Sequence, residues 1–414
     1  MFTTVALGLR RVALTGAASL AAAFLASALA PSAGAVELTL WEHEYEDVQK
    51  SLDKVLKDFQ AANPGVTVKR AHYKTEDLRT QFQTAAMGGG GADLVLAPND
   101  FAGPFSVMNI IQPVDGWAKP ERFTTSVVQA VSDAKGKVWG VPVARGNHLM
   151  LFVNKDLVKT TPATVEDLVK VARENSDAAK GRYGFAYNLN EPFWFVTFLG
   201  AYGEAPLVKA EPKLDGKGMV EALALVHDMK FKDKIVPPDC DYTCAETLFV
   251  EGKVGMTING DWAVQKFQDA LKDKLVIAPL PKLQATGKYM APMVSGKYLF
   301  LNAKLKGEKL DAAKKLAEFF VSKKVQEDMV KETRRLPALK ELDGSAVITS
   351  DPVLKATDAA MANGQPMPME VEMRVVWDAI RPQLQAVMAN RAEPKLAASV
   401  MQKDAETKIK EMRQ

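Results

Sequence analysis

Two hydrophobic periods take turns along the chain from Val36 onward. Leu38-Thr39-Leu40-Trp41 alternates as a short strand, and the next segment carries Val48, Leu52, Val55, Leu56 and Phe59 at i, i+4, i+7, i+8 and i+11, the apolar stripe of a helix. Asn63-Pro64-Gly65 ends that helix. Val66-Thr67-Val68 reads as the next strand, 77–87 as a helix closed by the glycines 88–91, and 93–96 as a third, buried strand. Strand, helix, strand, helix, strand predicts a parallel sheet covered by helices on both faces. Such sheets bind ligands at the carboxyl ends of their strands. Here those ends carry EHEYED after Trp41, APNDF after Leu96 and RGNH after the strand predicted over 138–144.

The second half repeats the style without a repeat in sequence. A strand is predicted over 183–187, a polar and aromatic turn at Asn190-Glu191-Pro192-Phe193-Trp194 opens a helix, and a further helix covers 216–231. The strand over 254–258 runs into Asn259-Gly260-Asp261-Trp262, where an acid that reads as exposed stands beside an indole. Asn259 or Asp261 is expected to cap free backbone N–H groups at the following helix start. One more strand over 298–301 precedes helices over 311–321 and 324–331 and a long helical region over 370–412. No low-complexity linker divides the chain, so two α/β lobes joined by several short crossings are expected.

The 414 residues are too many for one ordinary core, and 47% of them are hydrophobic, ample for two. Residues 1–35 differ from the rest. Arg10-Arg11 precede an alanine-rich apolar run that ends in Ala33-Gly34-Ala35, the pattern of a secretory signal peptide cut after Ala35. A membrane anchor would need stronger apolarity over about 20 residues. No cysteine follows the cut, which disfavours a lipid anchor, and Arg10-Arg11 leaves the export route open. Beyond residue 35 the chain holds 51 basic and 50 acidic side chains, a balance that calls for neither nucleic acid nor an anionic membrane. The two cysteines, Cys240 and Cys244, lie four apart, and export would put them in an oxidising compartment; a local disulfide is the preferred reading. His43, His72, His148 and His227 are scattered without ligand spacing, so no metal is expected.

Six stretches in order resemble the extracellular solute-binding proteins of ABC importers, in the maltose-binding branch: FQAANPGVTV, GGADLVLAPND, VPVA with LFVNKDLV, NEPFWF, AETLFVEGKVGMTINGDWAV and VVWDAIRPQL. The resemblance covers more than 300 residues of the chain. It implies two doubly wound α/β lobes joined by three hinge crossings, near 144–147, 290–295 and 345–352, with the ligand cleft between the lobes. The lobes would be 36–145 with 295–348, and 146–294 with 349–414. The implied protein is a monomer of the periplasm that hands a carbohydrate to membrane permease subunits, without cofactor and without chemistry of its own.

A sugar has flat C–H faces and a rim of hydroxyls, so its cleft needs rings and polar groups together. By resemblance, Trp262 and Trp377 are stacking rings, and Arg381, one turn after Trp377, lines the same groove. Glu191 and Phe193 match an acid and a tyrosine, Phe193 without the hydroxyl, and Asp100 matches an acid for sugar hydroxyls. The chain departs from the maltose pattern elsewhere. Ala97 and Phe101 flank Asp100 instead of a tryptophan and an arginine, Tyr45 and Glu46 replace an Asp-Lys pair beside Glu44, and Asn147 stands near an expected acid. Glu44 and Tyr45 are expected in the cleft, whereas Glu42 and Glu46 also read as a solvated helix start. A core role for Trp262 is the bland alternative. A polyol or glycerol phosphate ligand is a second functional reading, since Arg145 and Arg381 could pair with phosphate. An exported carbohydrate-active enzyme is a third, with two of Glu44, Asp100, Glu191 and Asp261 as acid and base.

Overall fold

The computed structural model describes residues 36–414, and the predicted signal segment 1–35 lies outside them. The first strand, β1 (Val36–Glu42), is followed by α1 (Glu46–Ala62), β2 (Val66–His72), α2 (Thr75–Met87) and β3 (Leu94–Pro98). β1 lies between β2 and β3 and pairs parallel with both. The apolar stripe of α1, Val48 to Phe59, is buried against this sheet, as its period requires.

The sheet is mixed rather than wholly parallel. Met293–Asn302 runs through its centre, antiparallel to β3 on one side and to Val141–Gly146 on the other. The reason is topological. A parallel neighbour needs a crossover that returns the chain to the same edge, whereas this strand arrives from the second sheet and enters head to tail. Only its apolar half, 298–301, was legible in the alternation. The half beginning at Met293 carries Ser295, Gly296 and Lys297, which are all buried.

A second sheet takes Leu275–Ala278, Leu149–Asn154, Val254–Gly260 and Tyr183–Ala186 in that order, with one parallel and two antiparallel pairings. Each sheet lies in its own large apolar core, one built around Leu38, Leu94 and Phe300 and the other around Phe152, Met256 and Phe198. The C-terminal helical region consists of two helices, Glu372–Met388 and Pro394–Met412. Asn390 has φ +56° and Pro394 starts the second helix, so the chain folds back on itself there.

The chain first leaves the first sheet at Gly146 and joins the second at Leu149. Gly146 has φ +115°, and a Cβ there would lie 2.5 Å from Asp261 Oδ2. Both the conformation and the close approach exclude a side chain. Gly146→Ala is therefore expected to cost ~1–3 kcal/mol of stability through backbone strain and overpacking. A urea titration followed by far-ultraviolet circular dichroism measures it; an unchanged midpoint would refute the strain argument.

Candidate functional site

Segments from both sheets converge on one cleft with a cavity volume of about 180 Å³. That is less than the roughly 300–1,000 Å³ of ordinary small-molecule sites. From the first sheet come His43 and Tyr45 after β1, Thr75, Glu76 and Arg79 on α2, Asp100 after β3, and Lys297. From the second come Asn147, the loop with Asn188 and Glu191, Phe193 and Trp194 at the start of the helix Pro192–Ala201, then Tyr242, Trp262, and Trp377 with Arg381 on one helix face. The carboxyl ends of β1 and β3 thus supply one wall.

Eight of the nine expected residues line this cleft: Tyr45, Asp100, Asn147, Glu191, Phe193, Trp262, Trp377 and Arg381. Glu44 does not. Its carboxylate is buried behind the wall, 2.7 Å from Arg335 Nη2 and 3.9 Å from Lys297 Nζ. Burial would raise its pKa, but Arg335 first and Lys297 next hold it well below the usual carboxylate range. Glu42, read as partly solvated, is buried and pairs with Arg70 at 2.5 Å, while Glu46 is exposed beside Lys50. The end of β1 thus turns one acid inward, and the first turn of α1 keeps another for solvent.

The rings form a continuous apolar surface across the cleft. Tyr45 from the first sheet lies nearly parallel to Tyr242, with centroids 4.6 Å apart, and to Trp262, 6.0 Å away. Phe193 contacts Trp262 at 6.3 Å and Trp377 at 6.5 Å. Trp194 turns its edge to Trp262 at 6.0 Å and donates its Nε1–H to the Ile258 carbonyl. Trp262 folds back over Gly260, where a Cβ would sit 2.3 Å from the indole, so the glycine sets the ring's tilt. The acid preceding it is not exposed. Asp261 is buried and accepts the Asn147 N–H at 3.1 Å instead of capping the helix behind it, and Asn259 Oδ1 accepts only the Gly260 N–H.

Most charges in the cleft are already neutralised within the protein. Arg79 donates to Asp100 Oδ2 at 2.8 Å and stacks 4.0 Å from the Phe101 ring. Arg381 pairs with Glu191 and reaches Glu76 at 3.7 Å, and Arg374 pairs with Glu76 as well, which ties α2 of one sheet to the helix Glu372–Met388 across the cleft mouth. Burial would raise the Glu76 pKa, yet Arg79, Arg374 and Arg381 together hold it low. Glu191 moves the other way, because burial outweighs its arginine. Lys297 has no carboxylate at hydrogen-bond distance; its amine donates to His43 Nε2 at 2.9 Å, and burial lowers its pKa. Three polar atoms of cleft residues, Arg79 Nε, Asp100 Oδ1 and Trp262 Nε1, are buried without a hydrogen bond among the described residues. Each such atom is costly unless a ligand group meets it.

Sequence reasoning missed His43, Thr75, Glu76, Arg79, Asn188, Trp194, Tyr242 and Lys297 as cleft residues. Glu76 and Arg79 stand three apart on α2 and so share a face, a signal that was present. Lys297 gave none, because its strand was read only from Tyr298. Tyr242 lies between the two cysteines, which are bonded, with Cα atoms 5.2 Å apart. No cluster of three or more His, Cys, Asp or Glu side chains able to hold a metal occurs among the described residues, and none of their helices is long and apolar enough to cross a membrane.

Comparison with known proteins gives a consistent set of relatives. A family model described as bacterial extracellular solute-binding protein matches residues 54–356. The maltose/maltodextrin-binding domain MalE from Bdellovibrio bacteriovorus, solved bound to maltotriose, superposes with a TM-score of 0.86 at 34% identity, over 91% of this chain and 100% of that one. A maltooligosaccharide ABC transporter solute-binding lipoprotein of Streptococcus pneumoniae (strain ATCC BAA-255 / R6) is 30% identical, over 78% of this chain and 77% of its own length. A galactooligosaccharide-binding protein of Bacillus subtilis (strain 168) is 27% identical, over 90% of each chain.

Two buried histidines give the protein a defined pH response. His43 accepts from Lys297 at Nε2 and contacts Thr75 Oγ1 through Nδ1, and burial followed by Lys297 pushes its pKa well below the ordinary value. His148, whose Nε2 donates to the Thr357 carbonyl, is also lowered, chiefly by burial. Below about pH 6.5 the unfolded chain takes up protons that these rings refuse when folded, so stability is full above that pH and falls as pH drops through it. Each ring adds a slope of up to ~1.4 kcal/mol per pH unit. Urea midpoints at pH 7.5, 6.5 and 5.5 test this; the decline should shrink in His148→Gln, and a flat profile would rule it out.

Proposed function

The chain belongs to the family of bacterial extracellular solute-binding proteins, and we propose that it captures an oligosaccharide of the maltodextrin kind and delivers it to the permease of an ABC importer. One observation carries the reading: rings from both sheets, with paired acids and arginines beside them, line a single cleft. Trp262, Trp377, Phe193 and Tyr45 would lie against the C–H faces of the sugar, while Asp100, Asn147, Glu191 and Arg381 would hold its hydroxyls. Glu44 would act indirectly, by fixing Lys297 and Arg335. Pairing of nearly every charge inside the cleft suits a neutral ligand, because a hydroxyl can join an ion pair without disturbing its charge balance.

The protein would do no chemistry. Of the four acids an enzyme reading invoked, Glu44 and Asp261 lie outside the cleft lining, and Asp100 and Glu191 are held by arginines. It would instead work by closure, with 36–145 and 295–348 as one lobe and 146–294 and 349–414 as the other. A ligand that touches both lobes favours the closed form in proportion to its difference in affinity for the two forms. Export by a signal peptide over 1–35, a periplasmic location and a monomeric state complete the proposal. A phosphorylated polyol is the second reading, carried by Lys297, the cleft cation with no carboxylate at hydrogen-bond distance.

Calorimetric titration of protein produced from the full chain, with maltotriose, a galacto-oligosaccharide and glycerol 3-phosphate, decides among these. Saturable maltotriose binding that Trp377→Ala weakens ~10- to 100-fold, about 1.4–2.8 kcal/mol, is the expected result. Binding of glycerol 3-phosphate alone would overturn the sugar reading in favour of the phosphate. A Trp377→Ala protein that binds maltotriose as well as the parent would remove that ring from the site.

A further inference from the structure

The bonded pair Cys240 and Cys244 closes a loop of only five residues, and the central residue of that loop is Tyr242. We propose that this disulfide is a positioning element of the ligand cleft, which holds the Tyr242 ring against Tyr45 and the sugar; the assignment rests on the oligosaccharide reading above.

Four observations carry it. The helix Tyr242–Val250 does not need the bond in order to start, because Asp241 Oδ1 already accepts the Cys244 N–H at 2.9 Å and caps it. A bridge across so short a loop restricts the unfolded chain less than one that spans the fold. The bond does have local consequences. Cys240 is fully buried and its carbonyl accepts the Leu189 N–H at 3.0 Å, so the bridged turn is tied directly to the loop that carries Asn188 and Glu191 and leads into the helix with Phe193.

The Tyr242 side chain is then fixed at both ends. Its root lies inside the five-residue ring, and its hydroxyl donates to Glu246 Oε1 at 2.8 Å, which in turn pairs with Lys266 at 2.5 Å. The ring between these points is in the cleft, 4.6 Å from Tyr45 with the planes 20° apart, and 6.1 Å from Trp194. Tyr45 comes from the first sheet, so the stack reaches across the cleft. Without the bond the turn keeps its cap, but the backbone of 240–244 gains freedom at the root of Tyr242. Ordering that ring again on binding would then weaken affinity.

A positioning role predicts that the disulfide acts on affinity mainly through Tyr242. The test is a double-mutant cycle with maltotriose calorimetry on the parent, Cys240→Ser/Cys244→Ser, Tyr242→Ala, and the three changes together. The cysteine pair is expected to weaken binding about tenfold. In the Tyr242→Ala background the same pair should change affinity less than about twofold. Melting temperature is followed in parallel, and it should drop by the same step in both backgrounds, since that part of the effect does not pass through the ring. Equal losses of affinity in both backgrounds, or no loss in either, would overturn the assignment.

Near-ultraviolet circular dichroism of the protein without ligand reads the ring independently. Replacement of the cysteines removes the disulfide's own broad near-ultraviolet contribution in both backgrounds, and a further change in the aromatic fine structure should appear only when Tyr242 is present. If the parent binds no maltotriose, the sugar reading fails by itself, and this spectrum still decides the positioning claim. The same change in both backgrounds refutes it.

Discussion

Asp261 accepts the Asn147 N–H from beneath the first passage between the two sheets, and the form of the cleft depends on that bond. The buried carboxylate lies at the end of one strand of the second sheet, immediately before the Trp262 indole, and reaches back to the residue where the chain has just left the first sheet. Gly146 must lack a side chain for the approach to be possible. Around the same point Asn147 Nδ2 meets Ser295 Oγ at 3.4 Å, and His148 donates to the Thr357 carbonyl. Segments far apart in sequence are thus brought together within a few side chains. A buried carboxylate keeps its place only when its hydrogen bonds are met, so the bond specifies the geometry as well as stabilising it.

From that point the cleft opens between two independent cores, each large enough to be rigid. Rigidity matters because a binding surface made of rings is useful only if their planes are held. Trp262 is set by Gly260, Trp194 by the Ile258 carbonyl, and Phe193 by its contacts with both tryptophans. The ionic groups follow another logic. Glu76 binds Arg374 and Arg381 across the cleft mouth, Asp100 binds Arg79, and Glu44 binds Arg335 behind the wall. Charges buried in this way are costly unless paired. Once paired, they leave spare lone pairs and donors in fixed directions, and hydroxyl-rich ligands require such groups.

Local periodicity determined much of this protein. The alternation at Leu38 to Trp41, the stripe from Val48 to Phe59 and the glycine run after Met87 each follow from short-range geometry, and the structure has β1, α1, α2 and β3 where those patterns lie. That Trp262, Trp377 and Arg381 line the cleft was legible too, because the short strings that hold them resemble those of the family. Tertiary structure alone decided the rest. The return strand Met293–Asn302 is polar in the half that lines the passage, so its pattern does not announce a strand, and the sheet order depends on where the chain re-enters. The same holds for Lys297, Glu76 and Tyr242, whose roles come from partners dozens to hundreds of residues away. Glu44 and Asp261 were read as facing ligand or solvent and instead are buried in ion pairs and hydrogen bonds. The period of a segment reports which face is apolar, but the partner that a polar side chain meets depends on which distant segment packs over it, and no local pattern encodes that.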